Sequence, residues 1–277
     1  MLASVVIPTR DAADQLLYTL FSLNLQLAPF DQFEVIVVDN ASRDQTPQKI
    51  RQFAAHYSLQ YIRFARKMPL HRLLRAGLAK SAGQIIVFLS GNMLVPRDFV
   101  GTHQHAHQQE DKLVLLGLDT KRIYSVYDPG FHPVQHAECS LWLEQYPQIK
   151  RPYDAAKIIP LLEEHQIVSG LPFHIALPGR QANLRIAVKE QFGARLEKHP
   201  SPWTLFHTRH VSLPRRAIPL EGGFPALPRV NMERDLARRL WRNGYRFQFA
   251  EKLTLLWQER AMPYSDARPN KNKRRRA

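Results

Sequence analysis

The sequence predicts an α/β protein built on a mostly parallel sheet with helices on both faces. Over residues 1–118, short apolar runs alternate with helix-length amphipathic segments, the pattern of strand–helix–strand units. The runs themselves, Val5-Val6-Ile7 and Val35-Ile36-Val37-Val38, are continuously apolar, as strands covered on both faces must be. Hydrophobic residues make up 44% of the chain and charged ones 23%, enough apolar matter for a core and too much for a disordered polymer.

The first strand spans residues 4–8, and Asp11 is placed to cap a helix whose apolar face holds Leu16, Leu17, Leu20 and Phe21. A second strand covers 33–38. Thr46 and Pro47 set an N-cap and a first-turn proline for the next helix. Residues 59–64 read as a third strand and 70–82 as a helix, with Gly83 as its left-handed cap. A fourth strand at 84–89, a helix over 97–109 and a fifth strand at 113–118 complete this part.

Residues 119–200 hold eight prolines (129, 133, 147, 152, 160, 172, 178 and 200) and little periodicity. They predict an irregular region with a few short helices, one near 155–165. Regularity returns with a turn at 221–224, an amphipathic helix over 233–242 closed by Asn243 and Gly244, and two strand-like runs at 245–249 and 253–257. The expected organisation is a regular half over 1–118, an irregular insert plus a second half of the same domain over 119–262, and a basic, disordered tail over 263–277.

Composition excludes several classes. The lone Cys139 rules out a disulfide framework or a multi-cysteine zinc site. No apolar run reaches the ~18 residues of a spanning helix, and Met1-Leu2-Ala3-Ser4 runs directly into the first strand, leaving no room for a signal peptide. The expected location is therefore cytoplasmic. The formal charge is +15, and the last ten residues carry six cations and no acid, leaving +9 for the rest. Such a body favours anionic partners. The tail is suited to the inner face of an anionic membrane. Nucleic acid is disfavoured as a partner, since no DNA- or RNA-binding motif accompanies the charge.

In parallel α/β sheets, ligands sit beyond the carboxyl ends of the strands. The candidates are thus Pro8, Thr9 and Arg10 after the first strand, Asp39 and Asn40 after the second, and Ser90, Gly91 and Asn92 after the fourth. The glycine-rich loops of dinucleotide-binding and P-loop proteins are absent from these positions.

The segments SVVIPTRD, VIVVDNASRDQT, FLSGNMLVPRDF, EGGF and MERDLARRLWRNGYRF, in that order, resemble family 2 glycosyltransferases of the GT-A fold. The resemblance covers residues 3–100 and about 203–258. It implies inverting transfer of a sugar from a nucleotide-diphosphate sugar to a hydroxyl of a glycan or other acceptor. It makes 1–118 the nucleotide-sugar half and 119–262 the acceptor half. By the same resemblance, Pro8 and Thr9 contact nucleotide, Asp39 hydrogen-bonds the donor base, and Arg72 and Arg75 lie near it. Gly222, Gly223 and Phe224 form the acceptor-side turn. Glu233 takes the position of the general base, with Asp235 beside it.

The sequence also departs from the family. The Asp-x-Asp that holds Mn²⁺ or Mg²⁺ falls at Ser90-Gly91-Asn92, where no carboxylate remains and Asn92 offers one neutral amide oxygen. The place where some members carry a metal-binding His reads Trp257-Gln258-Glu259, with Glu259 as a weak substitute. No conventional metal site is expected. Arg10, Arg72, Arg75 and Arg97 are then the candidates to meet the charge of the leaving diphosphate. Two alternatives follow: a catalytically inactive GT-A scaffold, fed by the missing acids, and a basic nucleic-acid-binding protein, fed by charge alone. His103 and His107 share a helical face at metal-ligand spacing, but that face is expected to be solvated.

Overall fold

The computed structural model describes residues 2–180, 182–219 and 222–262. Thirteen strands and nine α-helices are formed among them. The first half runs β1 (Ala3–Thr9), α1 (Ala13–Asn24), β2 (Phe33–Asp39), α2 (Thr46–Gln52), β3 (Ser58–Arg63), α3 (Leu70–Lys80), β4 (Ile85–Leu89), β5 (Met93–Leu94), α4 (Phe99–Gln109) and β6 (Leu113–Leu116). There follow β7 (Lys121–Ile123), β8 (Val126–Tyr127), α5 (Pro133–Gln145), β9 (Ile159–Pro160), α6 (Glu164–Val168), α7 (Leu171–His174), β10 (Leu177–Pro178) and α8 (Ala182–Phe192). The chain closes with β11 (His210–Pro214), α9 (Arg229–Arg242), β12 (Arg246–Phe249) and β13 (Leu256–Gln258).

Seven strands form the central sheet in the order β12-β6-β11-β4-β1-β2-β3. All its pairs are parallel except those of β11, which is wedged antiparallel between β4 and β6. The pleat divides the core. Val5, Ile7, Val35 and Val37 face α1 and α4, whereas Val6, Ile36 and Val38 face α3 and α9. A smaller sheet, β10-β7-β13-β5, lies beyond the carboxyl end of β4. The expected sheet, covered on both faces, is the one observed.

Several local expectations are corrected. Gly83 does not cap α3; that helix ends at Ser81 in extended backbone. A Cβ on Gly83 would lie 2.6 Å from the backbone of Ala3 and Ser4, so glycine there serves the close approach to β1. Asp11 does not cap α1 with its side chain. It sits at φ 45° and accepts from the Arg43 amide at 2.7 Å, while Asp44 accepts from the Ala13 amide at 2.9 Å. The helix expected near 155–165 is instead β9 and α6. His103 and His107 are buried; both reach Ser212 of β11, at 2.7 and 2.8 Å. The expected disordered tail lies outside the described residues, as does Glu221 of the acceptor-side turn.

Candidate active site

Two loops leave the carboxyl edge of the sheet and face each other across a cleft. Thr9 ends β1, and Ser90-Gly91-Asn92 follows β4. Close approach of the two is built into Gly91, whose added Cβ would sit 3.1 Å from Thr9 Oγ1. The cleft is lined by Pro8, Thr9, Arg10, Asn40, Ser90, Gly91 and Asn92, by Thr208 and Arg209 before β11, by Arg229 at the start of α9, and by Arg260 after β13. Seven of the residues singled out from sequence therefore line this cleft. Thr9 Oγ1 is buried without a hydrogen-bond partner among the described residues, an atom left for a ligand to satisfy.

The acids expected here are placed otherwise. Asp39 is fully buried. Its Oδ1 accepts from the Ser42 amide at 2.9 Å and the Ser42 hydroxyl at 2.5 Å. Its Oδ2 accepts from Tyr61 at 2.6 Å, with Arg63 Nε 3.5 Å away. That carboxylate fastens the loop after β2 and does not line the cleft; its neighbour Asn40 does. Burial and the Asp39 anion together raise the Tyr61 pKa, so the phenol stays a donor.

Arg72 and Arg75 lie on the exposed face of α3, while Leu70 and Leu73 of that helix reach the cleft. Arg97 donates instead to the Val168 carbonyl at 2.7 Å. Of the expected arginines only Arg10 lines the cleft, and sequence reasoning missed Arg209, Arg229 and Arg260. One signal was available. Arg229 lies four residues before Glu233, a spacing that makes an ion pair on one helix face.

Glu233 is buried in the first turns of α9. Its Oε1 accepts from the Thr208 amide at 2.8 Å, the Thr208 hydroxyl at 2.6 Å and Arg229 Nε at 3.0 Å. The carboxylate thus stands directly behind two cleft residues. Asp235 is part-exposed and is not among the residues lining the cleft. It pairs with Arg239 at 3.0 Å, and Arg239 in turn donates to the carbonyls of Gly222 and Gly223. Phe224 is likewise absent from the cleft lining. It is a core residue, edge-on to Phe88 at 5.5 Å between ring centroids. Gly222 adopts φ +73°, which suits glycine.

The donor set does not fit a divalent cation. Asn92 Oδ1 accepts from the Ser90 hydroxyl at 2.7 Å, and its Nδ2 donates to the Gln258 carbonyl at 2.9 Å, which leaves a network of neutral amides where hard cations prefer charged oxygens. Glu259 is likewise engaged, by Arg180 at 3.0 Å, Arg122 at 3.2 Å and Gln135 at 2.7 Å. Among the described residues no group of three His, Cys, Asp or Glu is arranged to hold a metal ion.

A parallel sheet interrupted by one antiparallel strand, with a small sheet roofing its carboxyl end, is the GT-A architecture of glycosyltransferases. The chain belongs to that class and, within it, to glycosyl transferase family 2, whose family model matches residues 4–152. It is 30% identical over 263 residues to the "Uncharacterized glycosyltransferase YfnE" of Bacillus subtilis (strain 168), a match spanning 94% of this chain and 65% of that protein. Over 90 residues it is 32% identical to glycosyltransferase AglE of Haloferax volcanii, 32% of this chain and 30% of the relative. Among solved structures it is similar to S. aureus TarS 1–349 in complex with UDP-GlcNAc (TM-score 0.60, 15% identity, 98% of this chain and 62% of that one). It is also similar to the mannosyltransferase PcManGT of Pyrobaculum calidifontis with GDP-Man and Mn²⁺ (TM-score 0.58, 18% identity, 95% and 57%). At these identities the structural likeness is one of fold. Among the described residues no helix is long and apolar enough to cross a membrane.

Proposed function

We propose that the chain moves a sugar, with inversion, from a nucleotide-diphosphate donor to an acceptor hydroxyl, and that arginines rather than a metal ion meet the leaving diphosphate. The observation that carries this is the lining of the cleft: four arginines (Arg10, Arg209, Arg229 and Arg260) and, among the described residues, no carboxylate. One positive charge about 4 Å from the diphosphate contributes about 4 kcal/mol at an effective dielectric of about 20. Two such contacts match the scale expected of a bound cation. Arg260 is pre-positioned by hydrogen bonds of 3.2 Å to the carbonyls of Arg10 and Asp11, so little reorganisation is needed as charge develops.

Glu233 is the proposed general base. Inverting displacement needs a carboxylate on the face opposite the leaving group, to take the proton of the attacking hydroxyl. Thr208 and Arg229, which line the cleft, fix its orientation through Oε1. In this reading residues 1–118 supply the donor wall and 119–262 the acceptor side. The similarity of fold to proteins solved with UDP-GlcNAc and GDP-Man supports a nucleotide sugar as donor. The basic tail at 268–277 is proposed to hold the enzyme at an anionic membrane surface, which liposome co-sedimentation with and without those residues tests.

The transferase reading is tested by incubating the protein with UDP-, GDP- and dTDP-sugars and following nucleoside diphosphate release. Release with one base class, abolished in Glu233→Gln, supports it. A protein that binds nucleotide and never releases diphosphate is instead a scaffold.

A further inference from the structure

Arg209 also lines a second cavity, of about 150 Å³. Lys121, Arg122, Arg180, Arg185 and Arg209 line it, against two carboxylates, Asp119 and Glu259. Most of these charges are already matched. Arg122 lies 2.5 Å from Glu138 and 3.2 Å from Glu259. Arg180 lies 3.0 Å from each of the same two acids. Arg185 donates to the carbonyls of Gly117 and Leu205 and faces Asp119. Asp119 is taken up by His210, at 2.8 Å.

Two cations are left over. Neither Lys121 nor Arg209 makes a side-chain hydrogen bond or ion pair with any described residue. Arg209 is half-buried, and its guanidinium is laid over the Trp257 ring, 5.3 Å from the centroid. That contact fixes the group without neutralising it. Burial, and then the neighbouring charge of Arg229, bring the Arg209 pKa down, against the pull of Asp119 and Glu233, neither of which makes a hydrogen bond or ion pair with it. Withdrawing a charge from water is costly unless something pairs with it. Both residues sit on ordered elements: Lys121 opens β7 and Arg209 immediately precedes β11, so the gap between them is set by the fold.

Taking the first cleft as the donor side, as proposed above, Arg209 is the partition between donor and acceptor. We infer that the second cavity binds an anionic group of the acceptor, a phosphate ester or a carboxylate, held between Lys121 and Arg209. Asp119 and Glu259, held by His210 and by Arg122 and Arg180, remain hydrogen-bond acceptors in the same lining, suited to a hydroxyl of the acceptor. The substrate class is thus a hydroxyl compound carrying a fixed negative charge, rather than a neutral glycan.

The test is calorimetric titration of the full chain with glycerol 1-phosphate and methyl glucuronide, each beside its neutral counterpart, glycerol and methyl glucoside. Each titration is run alone and in saturating UDP or GDP. The anionic compounds are expected to bind at least about tenfold tighter than the neutral ones, a preference that falls with added salt. Lys121→Ala is expected to reduce that affinity about tenfold and Lys121→Glu to abolish it; Lys121 is exposed, so both variants are expected to fold. The stronger of the two anions distinguishes phosphate from carboxylate. Equal binding of neutral and charged compounds, indifference to the Lys121 variants, or competition between anion and nucleotide would overturn the assignment. Anion binding without any nucleotide binding would instead remove the donor reading and leave the anionic pocket in place.

Discussion

Thr208 binds Glu233 twice, through its amide at 2.8 Å and its hydroxyl at 2.6 Å, both on Oε1. The loop before β11 and the first turns of α9 are locked together by that pair, and Thr208 faces the cleft while Glu233 stands behind it. Glu233→Gln keeps the size and loses the anion. It is expected to lower transfer by about 10²–10⁴ while nucleotide affinity changes less than about threefold. Steady-state kinetics beside nucleotide titration check this. Equal losses in both would make Glu233 a structural residue.

Asp235 is expected to behave differently. Its ion pair with Arg239 is about two-fifths exposed on each side, and exposed pairs contribute about 0–1 kcal/mol. Asp235→Asn is therefore expected to keep transfer within about threefold of wild type and to lower unfolding free energy by less than about 1 kcal/mol. Activity and urea denaturation of the variant read both.

Asp39→Asn tests whether that acid reads a base or fastens a loop. Replacing the carboxylate leaves the Ser42 and Tyr61 donors at Asp39 with poorer partners, and a broken buried charged network costs about 3–5 kcal/mol. A loss of that scale in denaturant unfolding, with the order of preference among UDP, GDP and dTDP unchanged, is expected. A change in preference with unaltered stability would restore Asp39 as a base contact.

The buried histidines predict acid sensitivity. Burial drives the His107 pKa from 6.5 down to about 4, and burial likewise holds His103 and His207 well below the ordinary value. The unfolded chain therefore binds more protons than the folded one as pH falls below 6.5. Stability is complete above that pH and is lost on the way down toward 4. His107 alone contributes about 3 kcal/mol to that slope. Burial opposes the Asp119 anion, yet His210, His207 and Arg185 outweigh it and hold the carboxyl below its usual range; its share is lost only at pH values below 3.8. The melting temperature is expected to fall between pH 6.5 and 4.5, and less steeply in His107→Gln. A flat profile would mean the imidazoles are not held neutral.

Much of the sheet is legible in the sequence because β1, β2 and β4 are continuous apolar runs bounded by Pro8, Asp39 and Ser90. Pro47 in the first turn of α2 is equally local in origin. Placement at the cleft was legible for residues at or just beyond the end of a strand, as Thr9 and Asn92 are. It was not legible where position depends on the antiparallel insertion of β11, which no local pattern encodes. That strand brings Thr208 and Arg209 to the cleft and buries His103 and His107 against Ser212. Asp39 and Arg72 fall outside the cleft lining for a related reason. A residue's position after a strand or on a helix gives its neighbourhood, whereas the partners across the fold, Tyr61 and Ser42 for Asp39, decide where its side chain turns.

The use of arginine in place of a metal ion is tested most directly by calorimetric titration of the preferred nucleoside diphosphate, in EDTA and in Mn²⁺, for wild type and Arg260→Ala. The expected result is the same dissociation constant in both buffers for wild type, and a rise of about tenfold or more in the variant, the scale of one lost charge contact. Binding that vanishes in EDTA and returns with Mn²⁺, indifferent to Arg260, would contradict the account.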